Sequence, residues 1–204
     1  PNIVYDLLLG GVLSATLVPL FSTFLEDDDE ESTNVVITTT LAILTFITVV
    51  AVVAAPLIFR LYSLTVQDGT DPELFRSVGA TLTRVFLIQI FFYGVTGLAS
   101  AFLNSRRRFF AAAWSPIVAN LVIIATLLSL PYSGADVLQL QDVLDDSRVR
   151  LTLGLGATGG IAAMAFLMIP APTSAGFRYR PKLDFGHPAV RKLLSLSVWT
   201  IGFV

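Results

Sequence analysis

One aspartate, three consecutive arginines and two asparagines are the residues of this 204-residue chain whose types and settings could do chemistry. Asp6 is the one carboxylate inside a long apolar run. An ionisable group at membrane depth is costly, so it faces a cavity or a partner. There it would hold a cation or a proton, or pair with an arginine; its plainer reading is a hydrated carboxylate near a helix end. Gly10 and Gly11 follow one turn later and offer a hinge in the same segment. Arg106, Arg107 and Arg108 carry planar forks that match phosphate oxygens two at a time. The same run also works as a topology signal that touches anionic headgroups, and the sequence favours that reading. Asn104 and Asn120 bond to backbone or to neighbouring helices, with a place on a substrate path as their second role.

Other patterns lead away from catalysis. Gly154, Gly156 and Gly159 have the spacing of a dinucleotide fingerprint, but the fingerprint needs a preceding strand and a βαβ unit. Here the glycines sit inside an apolar run, where Gly156 and Gly160, four apart, instead allow close helix packing. Gln89 and the threonines between Val35 and Tyr62 read as packing or polar lining. His187 stands beside Pro188 without a second ligand nearby, so no metal site is expected. There is no cysteine, hence no disulfide and no thiolate chemistry. The acidic block Glu26–Glu31 is a solvated loop. No nucleophile–base pair or phosphate loop emerges, and no basic stripe interleaved with aromatics would grip nucleic acid. We expect neither an enzyme nor a nucleic-acid binder, and no cofactor.

These residues are positioned by elements that only a bilayer accommodates. Charged residues make up 14% of the chain and hydrophobic ones 54%, with a mean hydropathy of +0.77. A soluble chain carries about a quarter charged residues, and this one has too few to solvate a surface. Crossing a hydrocarbon core takes about 20 apolar residues. Runs of that kind extend from Ile3 to Leu25, Val35 to Tyr62, Thr83 to Leu103, Ala111 to Leu130 and Leu151 to Ile169, and another begins at Val190. They are continuous rather than alternating, so the expected fold is all-α, a polytopic transmembrane helix bundle rather than a barrel. Pro19, Pro56 and Pro116 predict kinks. The chain begins and stops within apolar patterns, as an internal piece of a longer protein would.

Orientation follows from basic residues in short loops. Arg106, Arg107, Arg108, Arg178, Arg180, Lys182, Arg191 and Lys192 fall on one face, against Arg60, Arg76, Arg84, Arg148 and Arg150 on the other. That bias predicts a cytoplasmic Arg106–Arg108 loop, with Glu26–Glu31 on the same side. Residues 131–150 become an external loop, and the proline-bearing stretch 170–189 lies along the inner surface.

Several stretches, in order, resemble the MurJ/MviN family of the larger MATE-like exporter superfamily. Pro1-Asn2-Ile3-Val4-Tyr5-Asp6-Leu7-Leu8-Leu9-Gly10-Gly11 with Val18-Pro19-Leu20 is similar to the family's second helix. Ala54-Ala55-Pro56 resembles the end of its third. Gly97 to Asn104 with Arg108-Phe109 is similar to the turn between the fourth and fifth, and Trp114-Ser115-Pro116 to Asn120 to the opening of the fifth. The resemblance covers essentially the whole chain. It implies the N-lobe of a two-lobe exporter: residues 1–169 as that lobe, 170–189 as a cytoplasmic inter-lobe linker, and 190–204 as the start of the next lobe. It also implies a bacterial cytoplasmic-membrane flippase moving a lipid-linked peptidoglycan precursor to the outer leaflet by alternating access. Asp6, Gly10 and Gly11 would line the path, Arg106–Arg108 would meet the pyrophosphate, and membrane lipids would be further partners. Where characterised members carry an arginine pair and a glutamate, this chain has Tyr5, Asp6 and Gly10, so those arginines do not carry over. In that respect it looks like the family's actinobacterial branch. The departure keeps open a non-transporting scaffold that binds cell-wall synthesis proteins, and an exporter of another lipid-linked polysaccharide.

Overall fold

The computed structural model describes residues 13–63, 71–130 and 140–203; Asp6, Gly10 and Gly11 lie outside them. All regular structure among the described residues is helical: α1 Leu13–Glu26, α2 Glu30–Tyr62, α3 Pro72–Leu87, α4 Gln89–Ser105, α5 Phe110–Leu128, α6 Leu140–Asp145, α7 Ser147–Met168, α8 Pro170–Ser174 and α9 Pro188–Phe203. Four stretches are long and apolar enough to cross a membrane: Glu30–Tyr62, Pro72–Ser105, Phe110–Leu128 and Ser147–Ser174. The chain is therefore an all-α, multi-pass membrane bundle.

Its surface is inverted relative to a soluble protein. On α2, Ser32, Thr33, Asn34, Thr39, Thr40 and Thr48 are buried, whereas Phe46 is 70% and Val53 75% exposed. Lipid tails solvate the apolar side chains, and the polar ones turn inward, where helices meet. Packing between helices then depends on close approach rather than on expelling water. Glycine makes that approach: a Cβ on Gly156 would lie 2.0 Å from Thr126, one on Gly160 2.9 Å from the Ala119 carbonyl, and one on Gly94 2.4 Å from Leu44. The glycine pair of α7 therefore seats this helix against α5, the most extensive helix contact in the bundle. Gly154 faces Leu82 and Val85 of α3 instead.

The third expected span is longer than its apolar core. The helix starts at Pro72, with the Asp71 carboxylate accepting from the Glu73 and Leu74 amides at 2.9 and 3.4 Å. An aspartate cap followed by proline at the first helical position is a standard helix start, but hydropathy alone places the boundary near Thr83. The span also breaks once, at Ile88, without proline. The break is healed by side chains: the Thr158 hydroxyl of α7 donates to the Val85 carbonyl at 3.0 Å, and the Gln89 amide donates to Thr158 at 3.1 Å. Gln89 is only 5% exposed, so this relay is internal. Such re-satisfaction by a neighbouring helix is what lets a break persist at membrane depth.

At the other end of the bundle, α1, α4 and α8 all stop in the same way. The Asp29 amide reaches the Phe24 carbonyl (2.8 Å), Arg108 reaches Leu103 (2.9 Å) and Phe177 reaches Pro172 (3.2 Å). Each closes through a left-handed residue: Asp28 at φ 54°, Arg107 at φ 57° and Gly176 at φ 86°. This is the Schellman stop, which satisfies the last carbonyls of a helix. A core of Leu17, Leu20, Phe21, Phe24, Val36, Leu98, Phe102, Leu103, Met168, Phe177 and Leu193 fills the space between these stops.

Candidate functional site

The arginine run sits in the turn between α4 and α5, and the Schellman stop sets where each side chain goes. Arg106 donates from Nη1 to the Ala175 carbonyl at 3.2 Å, and Arg108 from Nη1 to the Ser174 carbonyl at 3.0 Å. Both carbonyls belong to the end of α8, whose negative pole favours cations. The Arg106 guanidinium also lies 4.7 Å from the centre of the Phe102 ring and 6.0 Å from that of Phe177. Arg107, in the left-handed position between them, is exposed. The three arginines therefore divide: two brace the chain that follows α8, and one faces outward.

The braced segment is tied down further along. Phe177 is 2% exposed, its ring 4.8 Å from that of Phe102. Beyond it the chain runs against α2. The Asn34 carboxamide donates to the Glu30 carbonyl (2.8 Å) and accepts the Arg180 amide at 2.6 Å. The Thr38 hydroxyl spends its proton on the Asn34 carbonyl at 2.8 Å. It must therefore accept both the Lys182 amide (3.1 Å) and the Tyr179 hydroxyl (3.0 Å). Lys182 also pairs with Glu31, which pushes the lysine pKa up. Residues 177–182 are thus a strap along α2 rather than a loose loop. Asn34 and Thr38, one turn apart on one helix face, hold it. Thr38 falls among the threonines read from the sequence as packing or polar lining; Asn34, just ahead of that run, was not singled out, although the polar pair stands at helical spacing.

Beside the strap lies an apolar groove of about 480 Å³, between α2, α4 and the α7–α8 junction. Leu41, Phe91, Phe92, Phe102, Phe166 and Tyr179 are among its walls. A second, polar recess gathers Asp27, Asp29, Glu31, His187 and Lys192 between the acidic turn and the start of α9. Asp29 caps α2 by accepting the Ser32 amide at 2.9 Å. Burial pushes its carboxyl up, but the Ser32 hydrogen bonds and the nearby His187 outweigh this and hold it below the usual range. No cluster of metal-ligating residues occurs among the described residues.

The other sequence candidates separate. Asn104 is half-buried just ahead of the arginine turn. Asn120 is exposed on α5, about 15 Å along the axis from Phe110 at 1.5 Å per residue, and is not part of the arginine cluster. The hydroxyls of Thr39, Thr40 and Thr48 are buried on α2 with no hydrogen-bond partner. The stretches carrying Arg106–Arg108, Arg178–Lys182 and Glu31 are bonded to one another, so they share one end of the bundle.

A family model described as lipid II flippase MurJ matches residues 1–204. The chain is similar to the probable lipid II flippase MurJ of Rhizobium tropici, 30% identical over 205 residues, covering 97% of this chain and 36% of that protein. It is likewise similar to the proteins so described from Rhizobium meliloti (strain 1021), at 27% over 206 residues, and Haemophilus influenzae, at 25% over 207. Those matches cover 97% of this chain and 36% and 38% of the relatives. The chain spans little more than a third of the length of the curated relatives it matches.

Proposed function

The chain belongs to the lipid II flippase MurJ family, and from that membership we infer that it forms part of one lobe of a flippase for an undecaprenyl-linked peptidoglycan precursor. The observation that carries this reading is the family match along the whole chain, on a bundle whose surface is built for lipid. A transporter of this kind makes no covalent change in its cargo, in keeping with the lack of a nucleophile–base pair in the sequence. Residues 1–169 would be the first lobe, 170–189 the connection and 190–204 the start of the second. The arginine end would face the cytoplasm of a bacterial inner membrane. The polar headgroup would cross between lobes while the lipid tail stays in the bilayer, one lobe rocking against the other.

Asp6 with Gly10 and Gly11 would line that path. Of the arginines, Arg107 is the one we assign to the incoming pyrophosphate, because Arg106 and Arg108 are engaged with carbonyls. The test is rescue of a bacterium depleted of its own lipid II flippase by the full-length protein, scoring precursor exposed on the outer leaflet. Rescue with restored exposure is expected, and Asp6→Ala should reduce it at unchanged expression. Good membrane expression without exposure would overturn the reading in favour of a scaffold or another lipid-linked cargo.

A further inference from the structure

The groove beside the strap has features that the transport reading leaves unused. Its walls come from spanning helices: Ile37 and Leu41 of α2, Phe91 to Phe102 of α4, Ala165 and Phe166 of α7. It therefore lies at hydrocarbon depth. Along α4 the lining covers eleven helical steps, about 16 Å at 1.5 Å per residue. Half of a hydrocarbon core of roughly 30 Å is one leaflet, so the groove is as deep as a single leaflet is thick. A volume of about 480 Å³ is that of a small-molecule site, too small for a chain of eleven prenyl units.

Among the described residues the lining is uncharged, and the basic residues that approach it lie at one end, which the acidic turn Asp28–Glu30 shares on the far side of Arg106. Arg108 is bonded to Ser174, the neighbour of the lining residue Thr173. Arg106 lies over Phe102 and Phe177, both of which line the groove. Arg178 and Arg180 flank Tyr179, another wall, and both are exposed. Arginine side chains are long enough to reach headgroups while their stems stay on apolar surface. Lys182 is paired with Glu31 and adds nothing to this charge. A tail-sized apolar slot ending at basic side chains between membrane helices matches an anionic lipid.

We propose that the groove between α2, α4 and the α7–α8 junction holds one acyl chain of an anionic phospholipid of the surrounding leaflet, its phosphate meeting Arg178 and Arg180 with Arg107 and Arg108 nearby. Bound there, the lipid packs against Phe177 and Tyr179 and so couples the strap to the leaflet. The inference does not need the transport reading, since a chain that fails to move precursor still presents this groove.

The test uses the full-length protein in proteoliposomes containing phosphatidylglycerol with a photoreactive group on one acyl chain, or phosphatidylcholine with the same chain. Crosslinked peptides are mapped by mass spectrometry. In the wild-type protein, crosslinks should concentrate on 91–102 and 165–179, at least about fivefold over phosphatidylcholine. Arg178→Gln with Arg180→Gln should bring the two lipids to about equal yield; the Arg180 tie to Asn34 runs through its backbone amide and survives. Val95→Trp, filling the groove, should abolish the focus. Because the wild-type map stands by itself, misfolding of a variant cannot mimic the result. Crosslinks spread evenly onto lipid-facing positions such as Phe46 and Val53 would overturn the proposal. So would a groove left unlabelled because other parts of the full chain cover it. Displacement by excess undecaprenyl phosphate would overturn it too, assigning the groove to the precursor.

Discussion

Arg107 shows how a single backbone angle distributes three identical side chains. The α4 stop needs a left-handed residue at its end, and this chain puts arginine there, at φ 57°. A side chain in that region costs about 1–2 kcal/mol, a cost glycine avoids. The equivalent stop after α8 uses Gly176, at φ 86°. Arg107→Gly should therefore raise the melting temperature of the full-length protein, and Gly176→Val should lower it by a comparable free energy. An unchanged midpoint for both would mean that these turns are not strained. Asp29 offers a second test at this scale, outside the span. Its folded pKa lies below the ordinary aspartate value of about 3.9. The carboxylate therefore contributes stability above that pH and loses the contribution as pH falls through its depressed folded value. Asp29→Asn keeps the cap but does not titrate. Wild type should melt above Asp29→Asn at pH 7, with the gap closing below about pH 4; a pH-independent difference would show that the charge is immaterial.

Between elements, the internal relay joining α3, α4 and α7 is the feature with the most at stake. Thr158 satisfies both the Val85 carbonyl and the Gln89 amide. Thr158→Val removes the hydroxyl at nearly constant volume and strands the buried Gln89 amide and the part-buried Val85 carbonyl. Each such group costs about 1–3 kcal/mol. Adding Gln89→Leu removes one of them, so the double variant should be more stable than Thr158→Val alone. Thermal melting of the four proteins in one detergent measures this, and strict additivity would disprove the coupling. The relay also shows what hydropathy can and cannot reveal. Continuous apolar runs locate the spans, because lipid demands them whatever the partner helix. The paired glycines Gly156 and Gly160 announce a close contact for the same local reason. The break at Ile88 has no proline to signal it, and its repair depends on Thr158, 69 residues beyond Gln89. Likewise Arg106–Arg108 stand out in the sequence as phosphate binders or a topology signal. That two of them brace α8 depends on a Schellman turn and a distant carbonyl, neither of which their spacing encodes.

At the scale of the whole molecule, the strap and the arginine turn make a claim about sidedness that local sequence only biases. Hydrogen bonds from Arg106 and Arg108 to α8, and the Lys182–Glu31 pair, join three connections at one end of the bundle. Ser129 caps the end of α5 away from the arginine turn, and Gln141 lies in α6, just before α7 starts back across. The sequence contains no cysteine, so single cysteines can be introduced without any background to remove. Asp27→Cys and Arg178→Cys should label from one side of the membrane, and Ser129→Cys and Gln141→Cys from the other; all four positions are exposed. The arrangement of elements requires this split whichever side is inside. The excess of basic residues at the arginine end adds the direction, since such loops stay in the cytoplasm. In intact cells a membrane-impermeant maleimide should therefore modify Ser129→Cys and Gln141→Cys, and reach Asp27→Cys and Arg178→Cys only after permeabilisation. Labelling of Arg178→Cys and Gln141→Cys from the same side would break the bundle's topology. The reverse pattern would keep the bundle and overturn only the orientation, placing the proposed pyrophosphate contact at Arg107 on the wrong side to receive a precursor made in the cytoplasm.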